Sequence, residues 1–356
     1  MHRFTLVMIG LASAAFAGPV GLVQMNLASD IPGLAAVTDP NMVNAWGMGA
    51  SATSPVWIGD NGTGTSVLYN SAGVKQALTV TIPGDGTVTG VLFSNVTGSF
   101  NGDTFLFDSE DGTVSGWRGA LGTAAEVLQT GAAANVYKGL AGATIGANEY
   151  AYLANFRTGN VDVLKGNAGA PSLTGNFTDP SLPSGYAPFD VQNLGGVIYV
   201  TYAVQDAAKH DDVAAPGNGI VDAFDVQGTF LQRIATGGAL NSPWGLALAP
   251  AGWGDVGGDL LVGNFGDGRI NAYTTSGTFV ETLKDASGNP LSIDGLWGLR
   301  FNIGNNTPNT LFFTAGPNGE NDGLFGELNL APEPGTWLLA AGSLAALWTA
   351  RRRVSR

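Results

Sequence analysis

One short motif recurs along the chain, and it constrains the fold more than any other feature. Pro243-Trp-Gly-Leu-Ala-Leu248 reappears as Leu296-Trp-Gly-Leu-Arg-Phe301. Weaker copies stand at Ala45-Trp-Gly-Met48, Thr89-Gly-Val-Leu92, Lys138-Gly-Leu-Ala141 and Pro188-Phe-Asp-Val191. The copies are about 45–55 residues apart, the period of propeller blades. Each opens a short strand. A second apolar run follows in every unit, for example Tyr150-Ala-Tyr-Leu153, Val197-Ile-Tyr-Val200 and Thr310-Leu-Phe-Phe313. A third follows that, such as Val161-Asp-Val-Leu164 or Ile220-Val-Asp-Ala-Phe224, alternating apolar and polar as half-buried strands do. Most units add a fourth, outer strand.

Six such units predict an all-β chain folded as a six-bladed β-propeller of the NHL-like kind. The last unit has no outer strand of its own, and Leu22–Leu27 is a strand without a unit. The expectation is that Leu22–Leu27 closes the ring by completing the last blade, removing an edge that would otherwise invite pairing. Two separate sandwiches would break the repeat in the middle of the chain, where it runs on.

Composition agrees. Gly is 54 of 356 residues without a Gly-X-Y period, and 44% of residues are hydrophobic, so the chain reads as turn-rich and globular rather than collagenous or disordered. There is no cysteine, which excludes disulfides, thiol catalysis and thiolate metal sites. The net charge of −13 argues against nucleic acid as a partner and suits cations or neutral sugars. The only histidines are His2 and His210. A multi-histidine zinc site is therefore excluded, and any serine triad would have to use His210.

The ends read as addressing segments. Arg3, the apolar run Phe4–Ala15 and the small-x-small site Ala15-Phe16-Ala17 form a signal peptide over 1–17. The propeller then spans 18–330 and a tail spans 331–356. In the tail, Pro332-Glu333-Pro334 precedes the uncharged run Trp337–Ala350, a hydrophobic helix shorter than the roughly 20 residues of a comfortable membrane span, and then Arg351, Arg352 and Arg353. This pattern resembles the PEP-CTERM sorting signal of Gram-negative bacteria. The resemblance implies an exported protein, transiently anchored in the inner membrane, processed by an exosortase-type enzyme and delivered to the cell surface or its polysaccharide matrix. The Asn44-Ala-Trp-Gly47 opening, the Asn155-Phe and Asn264-Phe pairs and the Lys209-His-Asp-Asp-Val213 to Asn218-Gly segment resemble an exported, functionally uncharacterised bacterial propeller family. That resemblance covers the body of the chain and brings no known activity.

Chemistry is expected where second strands end, because those loops share one mouth of the channel with the starts of the first strands. There stand Asp60 with Asn61, Asp108 with Glu110 and Asp111, Asn155, Asn264 with Asp267, and Asn318 with Glu320, Asn321 and Asp322. Asn and Asp also favour such turns by bonding nearby backbone. The fourth unit stands apart: its loop Gln205–Asn218 is the longest and carries Asp206, His210, Asp211, Asp212 and Asn218. Asp206, His210, Asp211, Asp212, Glu320 and Asp322 are expected to form a negative rim. No EF-hand spacing is present; the one cofactor candidate is calcium, held by Asp211 and Asp212. Trp46, Trp244 and Trp297 are expected as core between blades, with a sugar-lining role as the alternative. The first functional reading is a monomeric, non-enzymatic binding module for a matrix component such as polysaccharide. The alternative is a cation-dependent hydrolase or lactonase at the channel mouth.

Overall fold

The computed structural model describes residues 21–303 and 308–331. The segments read as signal peptide and sorting tail lie outside them. Six antiparallel sheets stand around one axis, each the product of one sequence repeat. The inner strands are Ala45–Gly49, Val88–Phe93, Tyr137–Ile145, Tyr186–Leu194, Pro243–Leu248 and Leu296–Arg300. They define blades 1 to 6. The ring closes as expected: Leu22–Ser29 pairs antiparallel with Leu324–Leu330 and is the fourth strand of blade 6. Val37–Thr38 adds a short parallel fifth strand beside it.

Blade 3 departs from the repeat. It has three strands only, ending at Asn160–Lys165. The chain that follows runs against blade 4 instead. Its Gly175 and Phe177 amides bond the carbonyls of Gln227 and Gly228, and the Phe177 ring packs on Tyr152 and Phe224. An outer strand buries little apolar surface, so the sheet dispenses with it where another segment covers the edge.

Side chains alternate along the strands, and each interface between neighbouring blades becomes one apolar cluster. Blades 1 and 2 meet through Trp57, Val88 and Phe107, blades 3 and 4 through Tyr152, Val200 and Phe224, and blades 6 and 1 through Phe325, Tyr69 and Ile58. A seventh cluster lies on the axis: Trp46, Trp244 and Trp297 with Phe156 and Phe189. The tryptophans therefore fill the channel itself rather than the gaps between blades. Their ring centroids are 4.0 to 6.3 Å apart, with tilted or edge-to-face packing.

A β-bulge explains how they reach it. In every blade the register between inner and second strand slips at the same repeat position, as between Ala45 and Met48, Pro243 and Leu246, and Leu296 and Leu299. A bulge re-aims side chains. Here it sends the residue before the motif's glycine onto the axis and seats that glycine against the next blade. A Cβ on Gly245 would stand 2.4 Å from the Trp297 carbonyl oxygen, and one on Gly47 would stand 2.5 Å from that of Thr89. Gly245→Ala is expected to destabilise the chain by roughly 1–3 kcal/mol through overpacking. Gly119→Ala, where nothing lies within 4 Å, should stay within about 0.5 kcal/mol of wild type. Urea unfolding of both variants checks this, and equal stabilities would refute the seating.

Candidate functional site

At the mouth where second strands end, one buried cation organises the acids. Lys138 occupies the motif slot that holds tryptophan in blades 1, 5 and 6, so its bulge also aims it at the axis. It is 2% exposed. Its Nζ donates to Glu110 Oε1 and, at 3.2 Å, to Asp211 Oδ1, and stands 5.2 Å from the centre of the Trp46 ring. Burial alone would lower the ammonium's pKa, but Glu110 and Asp211 outweigh it and hold the group above its ordinary value.

From Glu110 a polar chain runs around the rim. Asn61 Nδ2 donates to Glu110 Oε2 at 3.0 Å. Asn44 Nδ2 lies 3.3 Å from Asn61 Oδ1 and donates to Glu320 Oε2 at 2.8 Å. Asn44 Oδ1 accepts the indole N–H of Trp297 at 2.9 Å, which ties the rim to the aromatic plug. Glu320 is held at φ 67°, a costly backbone for a glutamate, at the end of the turn Pro317–Glu320. The residue is exposed, yet its carboxyl turns in onto buried Asn44. Lost hydration, with Glu110 and Asp211 nearby, holds that carboxyl above its ordinary range against the pull of Lys138.

The fourth-blade loop is ordered by its own acids. Asp206 accepts the amide of His210 at 2.8 Å and that of Asp211 at 3.3 Å, bonds that lower its pKa. Asn218 Nδ2 bonds the Val213 carbonyl at 2.8 Å. These bonds lay His210 beside Asp211, Nδ1 to Oδ1 2.9 Å. One ligand atom each from Glu110, His210 and Asp211 lies within 4.8 Å of the others, a spacing that a metal ion could bridge.

The sequence candidates thus divide. Asp211 and Glu320 come together around Lys138, with His210 beside Asp211 and Glu110 joining them. Asp206 and Asn218 shape the loop. Asp212 turns inward, where burial raises its pKa against the pull of Ser242 and Lys138, so Glu110 rather than Asp212 faces Asp211 across the cluster. Asp322 accepts from Asn318 at 2.7 Å and faces Asp30. Asp60 is shut inside blade 1, where burial and Asp39 drive its carboxyl well above the usual range. Asn155 binds Asn135 and Asp162 within blade 3, and Asn264 bonds the Ala239 carbonyl and Asp267 in blade 5. Lys138 was missed as a site residue. The available signal was a lysine standing in a tryptophan slot.

No family model matches the chain. An uncharacterized protein of Acanthamoeba polyphaga mimivirus is 34% identical over 323 residues, covering 85% of this chain and 78% of its own length. A second uncharacterized protein of the same virus is 32% identical over 315 residues, 83% and 82% of the two chains. The fold defines a closed six-bladed propeller with a plugged axis; within that class, the chain belongs to the family of these viral proteins. Among solved structures, a streptogramin B lyase matches with a TM-score of 0.50 and 14% identity over 88% of this chain and 98% of the other. An α-L-arabinanase of Penicillium chrysogenum matches with a TM-score of 0.53 and 12% identity over 88% and 99%. Both show a shared fold.

These relatives correct the bacterial resemblance. They are viral, and nothing in them supports a PEP-CTERM tail or an exosortase. The physical reason is plain in the structure. Asn44-Ala-Trp-Gly47 is the bulge, and Asn155 and Asn264 staple their blades, so these residues report propeller packing rather than bacterial descent. The tail motif, Pro332 to Arg353, is a short compositional pattern outside the described residues. Among the described residues no helix is long and apolar enough to cross a membrane.

Two outcomes follow from the electrostatics. Lys138→Met should leave the largely buried Glu110 and the exposed Asp211 without their cation and destabilise by roughly 1–3 kcal/mol in chemical denaturation. Asp108 lies fully buried behind Glu110, accepting from the Gly90 amide at 2.6 Å and Thr89 Oγ1 at 2.9 Å, and burial raises its carboxyl to about 6. Its folded value exceeds its unfolded one, so the folded chain holds the extra proton. Stability is then lost as pH rises from about 4 through about 6, by on the order of 3 kcal/mol for this group. Asp108→Asn should flatten that fall in urea titrations across pH. An unchanged slope would show an ordinary Asp108.

Proposed function

We propose that the chain is a binding module whose ligand sits over the Lys138 mouth, with a divalent cation held by Glu110, His210 and Asp211. The observation that carries this reading is the convergence of those three groups, from blades 2 and 4, above a sealed aromatic floor. Two carboxylates and one imidazole suit manganese or zinc better than calcium, which prefers an all-oxygen shell. Hydroxyls of a polyol or sugar would complete the ion's coordination, and Asn44, Asn61 and Glu320 would bond the remainder. The second reading, a cation-dependent hydrolase, is favoured by the His210–Asp211 pair, which has the geometry of a general base and its orienter. The activities of the lyase and the arabinanase add no support beyond fold, since fold does not carry function.

Thermal unfolding of the full-length chain tests the cation. At a metal concentration near 100 times the dissociation constant, mass action contributes about 2.7 kcal/mol, or several degrees in Tm. Manganese or zinc should give that rise, calcium a smaller one, and His210→Gln and Asp211→Asn should each remove most of it. If no divalent ion shifts Tm at millimolar concentration, Lys138 alone balances the rim and the reading fails.

A further inference from the structure

The other end of the channel is built differently, and nothing in the reading above uses it. Beyond the aromatic plug lies a cavity of about 380 Å³, lined by Trp244, Asp190, Gln192, Asn193, Arg300 and Phe301 among others. The repeat shows how unusual its polar groups are. Where blade 6 has Arg300, the other blades have Gly49, Leu92, Ala141, Gln192 and Ala247. Where blade 4 has Asp190, every other blade has glycine: Gly47, Gly90, Gly139, Gly245 and Gly298. Two ionisable side chains thus project where packing asks only for small or apolar ones.

Arg300 is only partly satisfied by the protein. Among the described residues Arg300 has no carboxylate within 4 Å. It makes only two long bonds, 3.4 Å to the Met48 carbonyl and 3.1 Å to that of Ala50, and its Nε is buried without a partner. Lost hydration lowers its pKa, yet a guanidinium stays charged at any physiological pH. Asp190 has no exposed surface, and the side-chain partner of its carboxyl is Gln192, at 3.3 and 3.4 Å. Burial holds its carboxyl well above the usual range, against the pull of the Val191 amide and Gln192. The cavity therefore presents one fixed positive charge and side-chain amides from Gln192 and Asn193, with apolar wall from Leu246, Leu299 and Phe301.

We infer that this cavity binds a small organic carboxylate bearing hydroxyl groups, its carboxylate on the Arg300 fork and a hydroxyl on the Gln192 amide. Arginine presents two parallel donors that match a carboxylate bidentately, and its unspent donors point to an acceptor supplied from outside. The volume takes a molecule of monosaccharide size. The site is independent of the Lys138 mouth, because the tryptophan plug lies between them.

The test uses the full-length chain with glycerate, galacturonate and glucuronate against glycerol, galactose and glucose. Binding is read by the fluorescence of Trp244, which lines the cavity, and by Tm. At least one acid should bind while its uncharged counterpart does not. Arg300→Gln should weaken that binding at least tenfold, and Arg300→Lys, which keeps the charge but loses the fork, should restore part of it. Circular dichroism and Tm of the unliganded variants establish that they are folded. If none of the acids binds, if acid and neutral forms bind alike, or if folded Arg300→Gln binds as wild type does, the inference is overturned and Arg300 only caps the Met48 and Ala50 carbonyls.

Discussion

The close approach of six inner strands around the axis is the constraint on which the rest of the molecule depends. Gly47 lies against Thr89, Gly90 against Leu140, Gly139 against Asp190, Gly245 against Trp297 and Gly298 against Trp46, which brings the ring back to its start. At each of these positions a Cβ would meet a neighbouring atom at 3.0 Å or less. Glycine is required here for space rather than for backbone freedom. Once the strands stand that close, the bulge before each glycine must send its side chain onto the axis, and the axis can hold only six. Three tryptophans and Phe189 fill it; Thr89 and Lys138 take the remaining places.

Chemistry appears where the repeat is broken. An ammonium in a tryptophan slot loses its hydration, and that cost must be offset locally. Glu110 and Asp211 supply charge, and the Trp46 face supplies a cation–π contact. Those acids come from loops of blades 2 and 4, which have no other reason to lean toward blade 3. The lysine thus positions the rim as much as the rim stabilises the lysine. Asp190 is the corresponding break in the glycine ring, and burial holds its carboxyl well above the usual range. In both places the fold tolerates a group that packing alone would reject.

The blades were legible in the sequence because inner and second strands are buried on both faces and read as short apolar runs that recur at the blade period. Closure by Leu22–Ser29 was legible for the same reason, as a strand left over at one end and a strand missing at the other. The absent outer strand of blade 3 was not, because exposed strands obey no such pattern and Phe177 covers the edge from elsewhere in the chain. The fourth-blade loop announced itself by length and charge. What it faces did not, since Lys138, Glu110 and Asp211 are far apart in sequence and meet only through their height along the axis. Asn155 and Asn264 looked like ligands because amide side chains at strand ends serve ligands and turns alike. Only the bonds they make distinguish the two roles.

The tryptophan plug also decides how the two ends of the channel relate. Trp46, Trp244 and Trp297 are each at most 2% exposed and pack directly on one another, so no solute path runs along the axis. One end gathers carboxylates around a single ammonium; the other holds a guanidinium bonded only to the Met48 and Ala50 carbonyls. Charges across the plug are separated by apolar matter rather than by water. A ligand at one end therefore changes the other only by moving the plug. Close-packed aromatic rings resist such movement, since a shift of one must displace its neighbours. The propeller is better regarded as two opposed mouths closed by a common rigid floor than as a tunnel with two openings.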